Sequence, residues 1–137
     1  MVKKVDNLAP KSIRVTCVIH SGGGDDTIII NHAKSIVYLG SGNDTVYSNH
    51  QDNIIFGECG NDTIYSGDDT VFGGSDNNDV FGGKYVYGED GVDELYNVKV
   101  YGFGGSGNDI LTGTSIVNYF DEGPNNAPWM QEKEETK

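Results

Sequence analysis

The chain has 137 residues, a formal net charge of −12, 20 glycines, 3 prolines and 2 cysteines, and 36% of it is hydrophobic. That length suits one domain, and so acidic a chain repels nucleic acid and anionic lipid while attracting divalent cations or basic protein surfaces. Two cysteines make no disulfide framework and no apolar run reaches membrane-spanning length, which excludes a disulfide scaffold and a membrane-inserted helix.

In chain order, residues 1–21 are expected to form an N-terminal cap and the strand that leads into the main array. SIRVTCVI at 12–19 alternates as a strand should. The segment MVKKVDNLAPKSIRVTCVIHS has lysines but neither an apolar h-region nor a small-residue cleavage site, so a Sec signal is not expected. Cys17 and Cys59 fall on different sides of the array and are expected to stay unpaired.

Residues 22–117 are dominated by a repeat. LGSGNDTVY at 39–47 matches GECGNDTIY at 57–65, and NHAKSIVYLG at 31–40 matches NHQDNIIFGE at 49–58. Two kinds of turn alternate. The A turns read SGGGDDTII (21–29), LGSGNDTVY, GECGNDTIY, GGSDNNDVF (73–81), GEDGVDELY (88–96) and GGSGNDILT (104–112). The B turns are looser: NHAKS, NHQDN, SGDDT, GGKY, NVK and GTS. Coils are 18 residues long at first and 15 or 16 later, and the B turns absorb the shortening.

After each turn a three-residue strand is expected, its middle side chain pointing inward. The inward set is Ile28, Val46, Ile64, Val80, Leu95 and Leu111 on one sheet. On the other it is Val37, Ile55, Val71, Val86, Val100 and Val117. The expected fold is all-β: a right-handed parallel β-roll, a short solenoid of about six coils of 15–18 residues with terminal caps.

The sixth residue of each A turn is Asp26, Asp44, Asp62, Asn78, Asp93 and Asp109. Stacked at the strand spacing of about 4.8 Å, these carboxylates face like-charged neighbours. A hard divalent cation between neighbours reverses the sign, and calcium accepts both carboxylates and the backbone carbonyls that glycine-rich turns expose. The equivalent B positions are expected to be Ser35, Asn53, Asp69, Tyr85, Lys99 and Ser115, which offer no adjacent carboxylate pair.

The repeat resembles the RTX (repeats-in-toxin) family, with its nonapeptide G-G-x-G-x-D-x-U-x. GGSGNDILT is a full match, and LGSGNDTVY, GECGNDTIY and GEDGVDELY each lose one glycine. The resemblance implies Ca2+ between consecutive A turns, held by the pairs Asp26/Asp44, Asp44/Asp62 and Asp93/Asp109. Carbonyls would come from turns containing Gly22, Gly24, Gly40, Gly42, Gly60 and Gly107. The fourth turn departs from the pattern, with Asp76 for a glycine and Asn78 for the aspartate.

Aromatics recur at the ninth position: Tyr47, Tyr65, Phe81 and Tyr96 on one sheet, and Tyr38, Phe56, Phe72, Tyr87 and Tyr101 on the other. They read as cross-coil stacks that stiffen the outer faces. His32 and His50, beside Asn31 and Asn49, read as a stacked polar ladder. Residues 118–137 are expected to be a C-terminal cap, with Tyr119, Phe120, Trp129 and Met130 over the end of the roll and a disordered QEKEETK tail.

No nucleophile–base set, HExxH, phosphate loop or basic patch is present, so no enzyme is expected. The leading reading is a non-catalytic calcium-binding β-roll that Ca2+ folds or stabilises. It would be secreted without a Sec signal, by a type I-like route, although the charged C-terminus does not look like a type I signal. The alternative is an intracellular or phage-type acidic inhibitor, a nucleic-acid mimic whose carboxylate column or outer aromatics bind a basic protein partner. A polysaccharide-active β-helix enzyme is a third, and lacks clustered acids outside the turns. No nucleic-acid partner and no membrane insertion are expected.

Overall fold

A computed structural model of the chain describes residues 2–5, 17–31, 34–114 and 119–121. Every regular element among them is a strand, and every strand pairing is parallel. One sheet holds the odd strands in order: β1 (Val2–Val5), β3 (Thr27–Ile30), β5 (Thr45–Ser48), β7 (Thr63–Ser66), β9 (Asp79–Gly82), β11 (Glu94–Val98) and β13 (Ile110–Gly113). The other holds the even strands: β2 (Cys17–Gly23), β4 (Ser35–Ser41), β6 (Ile54–Cys59), β8 (Thr70–Gly74), β10 (Tyr85–Asp90), β12 (Tyr101–Ser106) and β14 (Tyr119–Asp121). Strict alternation between two parallel sheets is a solenoid, here of about six coils.

Register follows the repeat. Ile28 lies beside Val46 and Val46 beside Ile64, then Ile64 beside Val80, Val80 beside Leu95 and Leu95 beside Leu111. The step from Ile64 to Val80 is shorter because the B turn after β7 has lost residues, while the A turns keep their length. Strands run to four to seven residues around the roll, longer than expected, because the even strands continue into the A turns.

The core is one column per sheet. Ile28, Val46, Ile64, Val80 and Leu95 face Val37, Ile55, Val71 and Val86, and each of these is fully buried. β-branched residues suit such short strands, since their restricted χ1 fits a pleated surface packed on one side. Ile19, Ile30, Leu39 and Val98 join the core as well. Leu111, at the end of its column, packs against it only half-buried.

Two expectations are corrected by the register of the later coils. Val86 lies beside Gly102, so Val100 is not the inward residue of its coil; it is 40% exposed, and Val98 is buried instead. Tyr85 aligns with Thr70 and Tyr101, so Lys84 and Val100, not Tyr85 and Lys99, follow Asp69 on the B side. The cause is the compressed B turns: Gly82 and Gly83 precede β10 with φ of 98° and 90°, and Asn97 takes φ 58° at the β11 irregularity. Each shifts the chain by one residue.

The aromatic stacks form as expected along most of their length. Tyr47–Tyr65–Phe81–Tyr96 stack at 5.0, 5.0 and 5.4 Å between ring centroids. On the even sheet Tyr38–Phe56–Phe72–Tyr87 stack at 5.0, 4.9 and 4.9 Å, and His20 extends the series at 4.8 Å from Tyr38. Tyr101 meets Tyr87 only at a 44° tilt, because Phe103 is the residue in register with Tyr87.

At the ends, β1 adds to the odd sheet beside β3 and β14 to the even sheet beside β12. Residues 12–16, Ser115, Val117, Trp129, Met130 and the QEKEETK tail lie outside the described residues, as does His32. Asn31 and Asn49 do form a ladder, with Asn49 Nδ2 donating to Asn31 Oδ1 at 3.0 Å. Cys17 and Cys59 are free thiols.

Candidate metal centre

The A turns connect each even strand to the next odd strand, and all six share one backbone path. Their second and fourth residues have positive φ: Gly22 and Gly24, Gly40 and Gly42, Glu58 and Gly60, Gly74 and Asp76, Glu89 and Gly91, Gly105 and Gly107. The glycines take φ of 94–149°, whereas Glu58, Asp76 and Glu89 are held at 71°, 72° and 77°, in the small left-handed basin open to other residues. Close approach is a second reason for glycine. A Cβ on Gly60 or Gly107 would collide with the carbonyl oxygen of Gly42 or Gly91 in the coil before. The turn carbonyls are therefore stacked one coil above another on the A side.

Inside this stack runs the sixth-position column. Asp26, Asp44, Asp62, Asn78, Asp93 and Asp109 are each at most 3% exposed. From Asp44 onward each side chain accepts the amide of the sixth-position residue in the coil before it. Asp26 N–H donates to Asp44 Oδ1 at 2.6 Å, Asp44 N–H to Asp62 Oδ1 at 2.8 Å and Asp62 N–H to Asn78 Oδ1 at 3.0 Å. Asn78 N–H donates to Asp93 Oδ1 at 2.8 Å, and Asp93 N–H to Asp109 Oδ1 at 2.9 Å.

One oxygen of Asp44, Asp62, Asp93 and Asp109 is thus fixed by the main chain. Oδ2 of Asp62 and of Asp93 is buried without any hydrogen-bond donor. A buried carboxylate oxygen left in that state is expensive. Burial pushes the Asp62 carboxyl up to about 7, with the charges of Asp44 and Asp76 adding to it and the Asp44 amide opposing. Burial likewise raises Asp93 to about 6; the Asn78 amide opposes, and Asp109 and Asp79 add.

The B side uses the same device with a different outcome. Ser35 N–H donates to Asn53 Oδ1 at 2.8 Å and Asn53 N–H to Asp69 Oδ1 at 2.9 Å. Asn53 Nδ2 also donates to Asp69 Oδ1, to Ser48 Oγ and to the His50 carbonyl, while Ser66 Oγ donates to Asp69 Oδ2 at 3.1 Å. Both oxygens of Asp69 are therefore satisfied by the protein, and this buried acid calls for no cation.

The sequence reading did not single out a second polar ladder at the fifth position of the A turns. Asn43 N–H donates to Asp25 Oδ1, Asn61 N–H to Asn43 Oδ1, Asn77 N–H to Asn61 Oδ1 and Val92 N–H to Asn77 Oδ1, at 2.8–2.9 Å. Its signal was the recurrence of Asn just before the sixth residue. Asp76, expected among the ligands, stands outside the column with an exposed side chain. Its carbonyl, not its carboxylate, touches the column, accepting Asn78 Nδ2 at 3.2 Å.

Among the described residues no three His, Cys, Asp or Glu side chains converge on one point. What the A side offers an ion is columnar: carboxylates buried coil above coil, with turn carbonyls stacked beside them. Such all-oxygen sets suit Ca2+, which takes six to eight oxygens at about 2.3–2.6 Å in flexible geometry. The donorless oxygens of Asp62 and Asp93 and the stacked glycine carbonyls fit that ion. A thiophilic or imidazole-preferring metal finds no partners here.

Fold and column together define a parallel β-roll whose one edge is a line of buried carboxylates. Residues 36–64, 65–84 and 103–115 match the model of the RTX calcium-binding nonapeptide repeat. These stretches carry RTX calcium-binding nonapeptide repeats, which bind Ca2+ and are typical of secreted proteins. No curated protein and no solved structure matches the chain.

Proposed function

We propose that the protein is a non-catalytic calcium-stabilised roll, with ions between successive A turns at Asp26/Asp44, Asp44/Asp62 and Asp93/Asp109. One observation carries the reading: the sixth-position acids are buried in register, and Oδ2 of Asp62 and Asp93 has no donor. Calcium would be the missing partner. It neutralises the column, binds the second oxygens and ties each turn to the next. The core supports this assignment by its thinness, since each strand contributes little more than one aliphatic side chain to it. Binding free energy then becomes folding free energy, as for other sites assembled only in the folded chain.

The reading places the protein outside the cell, where calcium is abundant, with residues 1–21 and 118–137 capping a roll at 22–117. Burial of the column speaks against a nucleic-acid mimic, because acids that are at most 3% exposed cannot be presented to a basic partner. The test is far-UV circular dichroism with thermal melting, in chelator, in calcium and in magnesium. Calcium should raise the melting temperature or restore β signal that chelation removes. Magnesium, which demands a compact octahedral shell and keeps its water, should not. Indifference to chelator defeats the reading.

A further inference from the structure

Turn four interrupts the carboxylate column without interrupting the hydrogen-bond ladder. Asn78 is buried at the sixth position between Asp62 and Asp93. Its Oδ1 accepts the Asp62 amide at 3.0 Å and its own amide donates to Asp93 Oδ1 at 2.8 Å, so the main-chain staple passes straight through. The difference lies at the other side-chain atom.

In the neighbouring turns Oδ2 lies against the glycine that opens the turn: Asp62 against Gly57 and Asp93 against Gly88. In turn four that place, against Gly73, is taken by Asn78 Nδ2. A carboxylate oxygen only accepts, while an amide nitrogen only donates. Nδ2 therefore finds a protein partner where the acids of turns three and five find none, and donates to the Asp76 carbonyl at 3.2 Å. That bond occupies a turn carbonyl and leaves no negative charge at the sixth position.

We infer that Asn78 is a metal-free joint that divides the calcium array into two clusters. One lies among Asp26, Asp44 and Asp62, and the other between Asp93 and Asp109. This rests on the preceding assignment of calcium to successive sixth-position acids. At the joint the A turns of coils three to five are linked by hydrogen bonds in place of an ion, so the ladder stays continuous where an ion is missing. Asp44 is then the one acid that serves two ions. Asp62 serves only the ion on its Asp44 side, because its other neighbour is neutral. The ions sharing Asp44 load as a coupled pair, and the ion at Asp93/Asp109 loads independently.

Native mass spectrometry of the full chain in calcium counts the ions directly, with circular dichroism confirming that each variant is folded. The wild type should carry one ion for each of its adjacent acid pairs. Asn78→Asp should carry two more, because it gives both Asp62 and Asp93 an acidic neighbour. Independently of that variant, Asp44→Asn should lose two ions and Asp62→Asn one. If the wild type binds calcium but Asn78→Asp gains no ion, or if Asp62→Asn loses as many ions as Asp44→Asn, the joint is wrong while the calcium reading stands. A wild type that binds no calcium overturns both.

Discussion

Oδ1 of Asp44 accepts the backbone N–H of Asp26 at 2.6 Å across a whole coil of 18 residues. A single side chain thus ties two turns together and supplies an acid to the column. Asp69 occupies the corresponding place on the B side, accepting the Asn53 amide at 2.9 Å, but its other oxygen is bonded to Ser66.

From that contrast, Asp44→Ala should remove most of the rise in melting temperature that calcium produces. Asp69→Ala should lower the melting temperature by the same amount with and without calcium. The sequence alone suggests that Asp69 matters little. Its buried bonds say otherwise: hydrogen bonds to a charged group contribute about 1.5–3 kcal/mol, more when partners are left unsatisfied. Melts of both variants in calcium and in chelator decide it, and equal calcium responses would count against the A-side assignment.

Calcium-free protein should grow less stable as pH rises. The Asp62 and Asp93 carboxyls sit at about 7 and about 6 in the fold, against an ordinary value of 3.8. Between 3.8 and those values the folded chain holds protons that the unfolded chain has released, so stability falls through that window. These groups stabilise the fold fully only below the ordinary value. Calcium requires the ionised form, so its affinity should move the opposite way and fall as pH drops through about 7. Melting temperature against pH, with and without calcium, should give slopes of opposite sign.

The A-turn path makes a third prediction. Gly42 has φ 130°, outside the left-handed basin, and a Cβ there would lie 2.5 Å from the Gly24 carbonyl oxygen. Gly42→Ala should destabilise by about 1–3 kcal/mol from backbone strain alone, with the clash adding to it. Gly23→Ala is the control, since Gly23 has ordinary φ and its Cβ would approach nothing closer than Ser41 Oγ at 3.4 Å. Denaturant titrations should separate the two variants, and equal stabilities would contradict the turn geometry.

Much of this structure was legible because the A turns hold a constant nine-residue length. Spacing alone located Ile28, Val46, Ile64, Val80 and Leu95 in the core and Asp26, Asp44, Asp62, Asp93 and Asp109 in one column. Reading failed where the B turns contract. No residue spacing says whether a lost residue is absorbed before or after a strand begins, and on that point Gly102, not Val100, comes to lie beside Val86. Nor could composition show that Glu58, Asp76 and Glu89 keep the turn path of glycine at φ 71–77°. The satisfied state of Asp69 also stayed hidden, because it depends on Asn53 and Ser66 folding over it from two turns.

A crystal structure of the full chain grown in calcium, with the ions located by anomalous scattering, tests the central claim most directly. The account predicts calcium between Asp26 and Asp44, between Asp44 and Asp62, and between Asp93 and Asp109, with the second carboxylate oxygens and turn carbonyls as ligands at about 2.3–2.6 Å. It predicts no ion at Asn78 and none beside Asp69. Ions along the B turns, or an A side without ions at saturating calcium, would contradict it.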